Sequence, residues 1–313
     1  MPLVSVVIVC MNRPDLLRPC LDSLFAFNRS EMEVLVVAYR FTPQNLSAVR
    51  QEYPSVRFIV SEGTRGFAEN NNLALRQARG AFIFVVNDDT VMEMPVVDRL
   101  VTDMDRFPER VAAITPKIVF PDGKVQTSGR APWTMGRYML HYLHGVNERR
   151  RTRWSMQPGL FPTWTLNGAC FLARTDAFRR AGWFDERFFF TPEDIALGHR
   201  FHELGYEVYA DADALIVHHA GGSVGPMEAA IKPARVRGAM IFYAGESRFR
   251  RAVLGRFIYA VESLRCLKYR IIGHKDGRKA LMYRTACHVR ESVFSQQTPK
   301  EIFMKYTENL VSL

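Results

Sequence analysis

The chain has 313 residues, 48% of them hydrophobic and 24% charged, a balance typical of globular domains that excludes disordered, collagen-like and low-complexity classes. Its five cysteines, Cys10, Cys20, Cys170, Cys266 and Cys287, are widely spaced with no C-x-x-C, which argues against a disulfide framework or zinc ribbon and fits a reducing compartment. The net charge of +10 is confined to one end: residues 1–226 hold 25 basic and 25 acidic side chains, residues 227–313 hold 17 and 7.

The longest apolar runs, such as 82–86 and 257–261, fall far short of the ~20 residues of a membrane-spanning helix. The start Met1-Pro2-Leu3-Val4 lacks a basic n-region, so no signal peptide is expected. The β-branched run 4–10 predicts a buried strand, and Pro14 opens a helix to about residue 25, with Asn12 near its cap. Strands over 34–37, 56–60, 81–86 and 111–115 then alternate with helices over 43–53, 66–78 (closed by Gly80) and 95–107. Such alternation implies βαβ units and a mostly parallel sheet with its site at the carboxyl ends of the strands. After 116 the pattern changes. Residues 118–120 and 124–126 read as a hairpin about Pro121-Asp122-Gly123, and 131–162 as irregular, with a basic cluster at Arg149, Arg150, Arg151 and Arg153. A strand over 166–173, a helix over 192–204 and short strands over 208–210 and 214–217 follow. Gly221, Gly222 and Gly225 then make a loop, and helices run from Met227 onward.

Five constellations carry chemistry in one reading and ordinary structure in another. Asn87-Asp88-Asp89-Thr90 follows an apolar strand. Carboxylates there can hold Mg²⁺ or Mn²⁺ against a diphosphate, since hard oxygen ligands suit hard cations; Asn and Asp are also common in loops. Arg65-Gly66-Phe67-Ala68-Glu69-Asn70-Asn71-Asn72 is a helix start able to meet a phosphate or sugar, or an ordinary first turn. In Phe188-Phe189-Phe190-Thr191-Pro192-Glu193-Asp194 the proline and acids are good capping chemistry. A carboxylate in an aromatic-walled cleft is also a good general base, because desolvation raises its pKa. His218-His219 can supply one metal ligand or sit in the core, and no H-x-x-x-H spacing suggests zinc. Trp164, beside the small-residue turn Asn167-Gly168-Ala169, is a sugar-stacking platform or a core residue.

In this order on one α/β chain, these stretches resemble the family 2 glycosyltransferases, of the GT-A fold, over roughly residues 3–225. The spacing is most similar to the rhamnosyltransferase-type members. Val4 to Pro14 resembles that family's first strand and nucleotide loop, Gly66 to Asn72 its "GFA..NN" helix, and Asn87-Asp88-Asp89 its metal-binding DxD, here N-x-D. Asn167-Gly168-Ala169-Cys170 is similar to its "NGA" strand, Gly182 to Asp194 to its "GxFDExFF…ED" stretch, and His218 to Ser223 to its closing "HHxGGS". The resemblance implies an inverting transferase that moves a sugar from a nucleotide-diphosphate-sugar donor to a hydroxyl of a glycan or polyprenyl-linked acceptor in cell-surface polysaccharide synthesis. Residues 1–116 would form the nucleotide-sugar half, 117–226 the acceptor half of the same Rossmann-like domain, and 227–313 a basic helical extension. Asp89, with His218 or His219, would hold Mg²⁺ or Mn²⁺ on the donor diphosphate. Cys10, Asn12, Arg13, Tyr39, Arg40, Arg65, Gly66, Asn72, Asn87 and Asp88 would line the donor. Trp164, Asn167, Gly168 and Phe190 would meet the acceptor. Asp194 would be the general base and Glu193 its partner in orienting the acceptor.

Two departures stand out. Where the family carries an Asp after its second strand, this chain has Ala38, so Tyr39, Arg40 or Thr42 would replace the nucleobase contact. The usual "EDxDL" reads Glu193-Asp194-Ile195-Ala196-Leu197, which keeps the base position. Two alternatives stand beside this reading: a nucleotidyltransferase on a related fold, and a non-catalytic carbohydrate-binding protein with a decayed site, to which Ala38 and Ala196 lend weight. In the basic extension Phe249, Val253, Phe257, Val261 and Leu264 recur at steps of three and four. This apolar face would either lie on an anionic membrane or pack on the main domain. A cytoplasmic protein, peripheral at the membrane's cytoplasmic face, is expected. No nucleic-acid partner is, since no recognition signature accompanies the charge.

Overall fold

The computed structural model describes residues 3–129, 132–144, 156–219, 227–273 and 277–311. The strands are β1 Val4–Met11, β2 Met32–Tyr39, β3 Val56–Ser61, β4 Phe82–Val86, β5 Thr90–Met92, β6 Val111–Val119, β7 Leu160–Thr163, β8 Cys170–Arg174 and β9 Glu207–His218. The helices are α1 Pro14–Phe27, α2 Pro43–Glu52, α3 Phe67–Leu75, α4 Val96–Arg106, α5 Met135–His144, α6 Thr175–Ala181, α7 Glu193–Glu203, α8 Glu228–Ala244, α9 Arg248–Ile272, α10 Gly277–Ser292 and α11 Pro299–Val311. All the strands form one sheet in the order β3-β2-β1-β4-β8-β6-β9-β5, with β7 beside β9. The β3-β2-β1-β4 half is parallel. β8 inserts antiparallel between β4 and β6, while β6 and β9 run parallel.

The sheet's period of two sorts its side chains into two cores. Val4, Val6, Ile8 and Cys10 face one layer with Phe82, Phe84 and Val86. Val7 faces the other with Ile83 and Val85. A sheet covered on both faces needs near-continuous apolar strands, which is how β1 and β4 read. Gly80 is required by close approach: a Cβ there would stand 2.6 Å from the Ser5 backbone nitrogen. Thr42 caps α2 by accepting from the Asn45 N–H at 3.2 Å.

The chain comprises two compact units. The first comprises Met1–Pro132, Glu148–Asp185 and Glu193–Ala220 and holds the whole sheet. The second comprises Trp133–Asn147, Glu186–Pro192 and Gly221–Leu313 and is helical. Its core joins Met240, Tyr243, Leu254, Ile258, Val289 and Val293, with Tyr138 and Tyr142 packed against it.

Several elements differ from the sequence expectation. α5 and β7 lie within the stretch read as irregular, and β5 and α6 were not expected. The strand read over 166–173 is a turn followed by β8, Cys170–Arg174. The helix read over 66–78 ends at Leu75. The two short strands are one, β9, whose register against β6 slips between Pro116 and Lys117, where the partner passes from Asp211 to Leu215. That bulge interrupts the alternation in the sequence. On α9 the buried residues are Leu254, Gly255, Ile258, Val261, Glu262 and Cys266, a face rotated from the one read. Phe249 is 77% and Leu264 67% exposed. Among the described residues no helix is long and apolar enough to cross a membrane. The basic cluster Arg149, Arg150, Arg151 and Arg153 and the loop of Gly221, Gly222, Ser223 and Gly225 lie outside the described residues.

Candidate active site

Asn87, Asp88 and Asp89 form the short turn from β4 to β5, and β5 pairs antiparallel with the end of β9, Thr90 opposite His218. This register brings Asp89 Oδ1 to 3.1 Å from His218 Nε2, with both side chains little exposed (14% and 12%). Asn87 Nδ2 stands 3.4 Å from the same ring nitrogen. On the other edge of the ring, Gln126 Nε2 donates to the His218 carbonyl at 2.7 Å. This turns Gln126 Oε1 toward His218 Nδ1 at 2.9 Å. A carbonyl oxygen only accepts, so the hydrogen-bond network assigns a proton to Nδ1 and turns Nε2 toward Asp89. Nε2 and Asp89 Oδ1 thus face each other at hydrogen-bond distance. Carboxylate and imidazole are donors that Mn²⁺ accepts. Among the described residues no group of three His, Cys, Asp or Glu could hold a metal unaided.

The turn before β8 joins this corner to the carboxylates of α7. Asn167 Nδ2 donates to the Thr127 carbonyl at 2.6 Å. The Gly168 N–H donates to Asp194 Oδ2 at 3.2 Å, and the Asn87 N–H donates to the Ala169 carbonyl at 2.9 Å. Gln126 and Thr127 thus hold His218 and Asn167, and Gly168 and Ala169 hold Asp194 and Asn87. Asp194 also accepts from the Ile195 N–H at 2.7 Å, at Oδ1, so its carboxylate is set by two backbone donors. A Cβ on Gly168 would stand 3.5 Å from Asp194 Cβ and 3.7 Å from Glu193 Oε1, and Glu193 is buried.

The loops after β1, β2 and β3 are tied to one another. Asn12, at φ 50°, accepts from the Thr42 N–H at 3.1 Å and from Asn45 Nδ2 at 2.9 Å. Tyr39 Oη accepts from the Arg65 N–H at 3.2 Å. Arg40 lies over the Tyr39 ring, 5.5 Å to the centroid, and donates to the Gly63 carbonyl and Thr64 Oγ1. Arg13 is bidentate to Asp15. The Gly66 N–H donates to Glu69 Oε2 at 2.9 Å, half of a capping box. Asp88 lies against Cys10: burial pushes its carboxyl up to about 6, the thiol contact opposes this, and Asp89 adds to the rise. The Cys10 thiol is itself pushed up by burial and by Asp88.

Some expected residues lie elsewhere. Asn72 is 1% exposed, and its amide bonds the Phe184 backbone at both ends, at 2.9 and 3.2 Å, so it joins α3 to the 184 turn rather than facing a nucleotide. His219 has an exposed side chain and gives only its N–H to the Asp89 carbonyl at 3.0 Å. Trp164 is 42% exposed, its ring tilted over His202 at 4.2 Å between centroids. Phe190 belongs to the second unit, where it packs edge-on against Phe189 and Phe303. Ala38, where an Asp was missing, is fully buried. Sequence reading missed Gln126 and Thr127, whose partners His218 and Asn167 lie 92 and 40 residues away; no local signal marks them.

Residues 5–181 match the family model described as Glycosyl transferase family 2. Over 237 residues, 71% of this chain, the sequence is 31% identical to the O-antigen biosynthesis protein RfbC of Myxococcus xanthus, and the match spans 18% of that protein. It is 29% identical over 243 residues to the N-acetylglucosaminyl-diphospho-decaprenol L-rhamnosyltransferase of Mycobacterium tuberculosis, covering 72% of this chain and 78% of the other. The mannosyltransferase PcManGT of Pyrobaculum calidifontis, solved with GDP-Man and Mn²⁺, aligns over 100% of this chain and 81% of its own, with a TM-score of 0.53 and 16% identity. That likeness bears on the fold alone, which is of the GT-A type.

Proposed function

The chain belongs to glycosyl transferase family 2, and from that premise we propose that it moves a sugar from a nucleotide-diphosphate-sugar to a hydroxyl of a glycan or lipid-linked acceptor, inverting the anomeric centre. The observation that carries this reading is the hydrogen-bonded turn at Asn167–Ala169, which bonds Asp194 through Gly168 and the Asn87 corner through Ala169. A candidate base and a candidate cation corner are thereby held in one framework. Direct attack on the face opposite the leaving group needs one catalytic carboxylate, unlike two-carboxylate hydrolysis.

Asp89 and His218 are the residues that would hold Mg²⁺ or Mn²⁺, and the bound ion would supply Lewis-acid neutralisation of the leaving diphosphate. Asp194 takes the acceptor's hydroxyl proton at a carboxylate oxygen as the C–O bond forms. General-base catalysis of this kind contributes about 10²–10⁴-fold. Glu193 orients the acceptor. Asn12, Tyr39, Arg40 and Arg65, on the interlocked loops, bind the nucleotide in residues 1–116, while residues 117–226 receive the acceptor. The decaprenol L-rhamnosyltransferase relative supports a rhamnosyl donor and a polyprenyl-linked acceptor in cell-surface polysaccharide synthesis. Exposed Phe249, Leu264 and Ile271 on α9 support a peripheral position on an anionic cytoplasmic membrane face.

The test is transfer from a panel of nucleotide-diphosphate-sugars, with the released nucleotide identified. Wild type should release nucleoside diphosphate, and Asp194→Asn should lose transfer by about 10²-fold or more with donor binding near normal. Release of pyrophosphate, or donor binding lost with Asp194→Asn, would contradict the assignment.

A further inference from the structure

The helical second unit contains a cavity of about 340 Å³ whose lining includes Arg237 of α8, Arg248, Arg251 and Arg256 of α9, and Phe294 and Ser295 after α10. Four arginines are thus among the residues that line one cavity, whose surface is mostly apolar, and no Asp or Glu is among them. Arg251 pairs with Glu246 at 3.8 Å, but Glu246 is 95% exposed, too solvated to neutralise much.

Two of these arginines are held in place. Arg237 Nε donates to the Gln297 carbonyl at 3.0 Å, and Arg251 Nη2 to the Gly245 carbonyl at 2.9 Å. Arg248 and Arg256 make no side-chain hydrogen bond or ion pair with the described residues, and both are exposed. Ser295 Oγ is buried without a hydrogen-bond partner among the described residues, an arrangement that native structures seldom leave unexplained. α9 also begins with Arg248, Arg250 and Arg251 and no acid in its first turn. Cations at the positive end of a helix oppose its dipole, and here Arg250 and Arg251 turn to the Tyr243 and Gly245 carbonyls at the end of α8. Burial and the nearby Arg251 charge both hold Arg237 below the usual arginine range, as expected of cations without a counterion.

We propose that this cavity is an anion site for a phosphate or diphosphate group. Guanidinium forks match phosphate oxygens two at a time, which a carboxylate or a single lysine does less well. The buried serine hydroxyl is a further donor. Met240, Val293 and the 54% exposed Phe294 give the same cavity an apolar side, suited to a phosphate carried on a greasy molecule. A soluble phosphate ester and a lipid headgroup share this chemistry. The inference does not rest on the transfer reaction, since it uses no residue of the first unit.

The experiment titrates the full-length protein in EDTA with inorganic pyrophosphate and, separately, with phosphatidylcholine vesicles with and without phosphatidylglycerol. Arg248→Glu/Arg256→Glu is compared with Lys279→Glu/Arg284→Glu, the same charge change at exposed positions outside the cavity, and with Asp89→Ala. Binding of either probe should weaken about tenfold or more in the cavity pair while the control pair and Asp89→Ala stay close to wild type. A variant-sensitive pyrophosphate signal identifies soluble phosphate chemistry. A signal confined to phosphatidylglycerol vesicles identifies a headgroup. Binding of neither probe, equal loss in both charge-reversal pairs, or loss only in Asp89→Ala would overturn the proposal.

Discussion

His218 is positioned by a residue that does no chemistry. Gln126 uses both ends of its amide, donating to the His218 carbonyl and facing Nδ1 with its oxygen, so Nε2 is turned toward Asp89, where the proposed site would place a cation. Removing an outer-shell partner of a metal-binding histidine typically costs 10–100-fold in affinity, as a rough guide. Gln126→Ala should therefore weaken Mn²⁺ binding, measured in the presence of nucleoside diphosphate, by about tenfold with little change in thermal midpoint. Unchanged affinity would show that the ring needs no such support. As candidates, Asp89, His218 and Asp194 were legible because carboxylates and imidazoles after strands stand out from an apolar background. Gln126 was not, since an amide on a predicted hairpin strand acquires its role only from a partner 92 residues away. Asn72 failed in the opposite sense: its position in a run of amides suggested a ligand contact, and tertiary packing used it instead to hold Phe184.

Among the elements, those read correctly are the ones whose pattern is local. β1 to β4 are apolar strands separated by helices, and each announces itself within ten residues or so. β5 and β7 have three and four residues, too short to display a period, and they exist because β9 offers them an edge. The Asn167–Ala169 turn was absorbed into a strand because its neighbours are apolar, yet it is the turn that carries the contacts to Asp194 and Asn87. It is braced by α7, where a Cβ on Gly198 would stand 2.7 Å from the Trp164 carbonyl oxygen and 3.0 Å from Thr165 Cα. Gly198→Ala should push the helix off the turn and destabilise the protein by about 1–3 kcal/mol, read as a lower urea midpoint at unchanged slope. A wild-type midpoint would mean that the helix yields without cost. In the helical unit, Glu262 is fully buried and accepts from Tyr142, from Lys232 at 3.1 Å and from Arg265 at 2.5 Å. Glu262→Ala, which removes the buried acceptor shared by Lys232 and Arg265, themselves 27% and 31% exposed, should cost about 1–3 kcal/mol, measured by the same denaturation.

Across the whole molecule, charge and acid–base behaviour follow from where the chain buries its acids. Between α4 and β9, Asp211 is fully buried and bonded to Arg99 at 2.6 Å. Nearby Asp103 has its carboxyl pushed up to about 6 by burial and by the Asp211 charge. The folded protein therefore holds a proton at Asp103 that the unfolded chain, with an ordinary carboxyl near 3.8, has released. Stability falls as pH rises from about 4 to 6, and the full penalty stands above 6. Wild type should gain stability between pH 7 and 5 relative to Asp103→Asn, and parallel pH profiles for the two would disprove the shift. The sheet lies wholly in the charge-neutral residues 1–226, while the helical unit joins the basic stretch from 227 onward to Trp133–Asn147 and Glu186–Pro192. Which face of α9 packs was not legible, because apolar residues occur on both its buried and exposed sides.

The central claim is that Asp89 and His218 form the cation corner of a nucleotide-sugar site. Its most direct measurement is the thermal shift of the purified protein with dTDP-, UDP- and GDP-sugars, with and without Mg²⁺ or Mn²⁺, alongside Asp89→Ala. A metal-dependent rise in midpoint for one nucleotide, absent in Asp89→Ala, is the predicted result. No rise with any donor, or a rise indifferent to metal and to Asp89, would contradict the account.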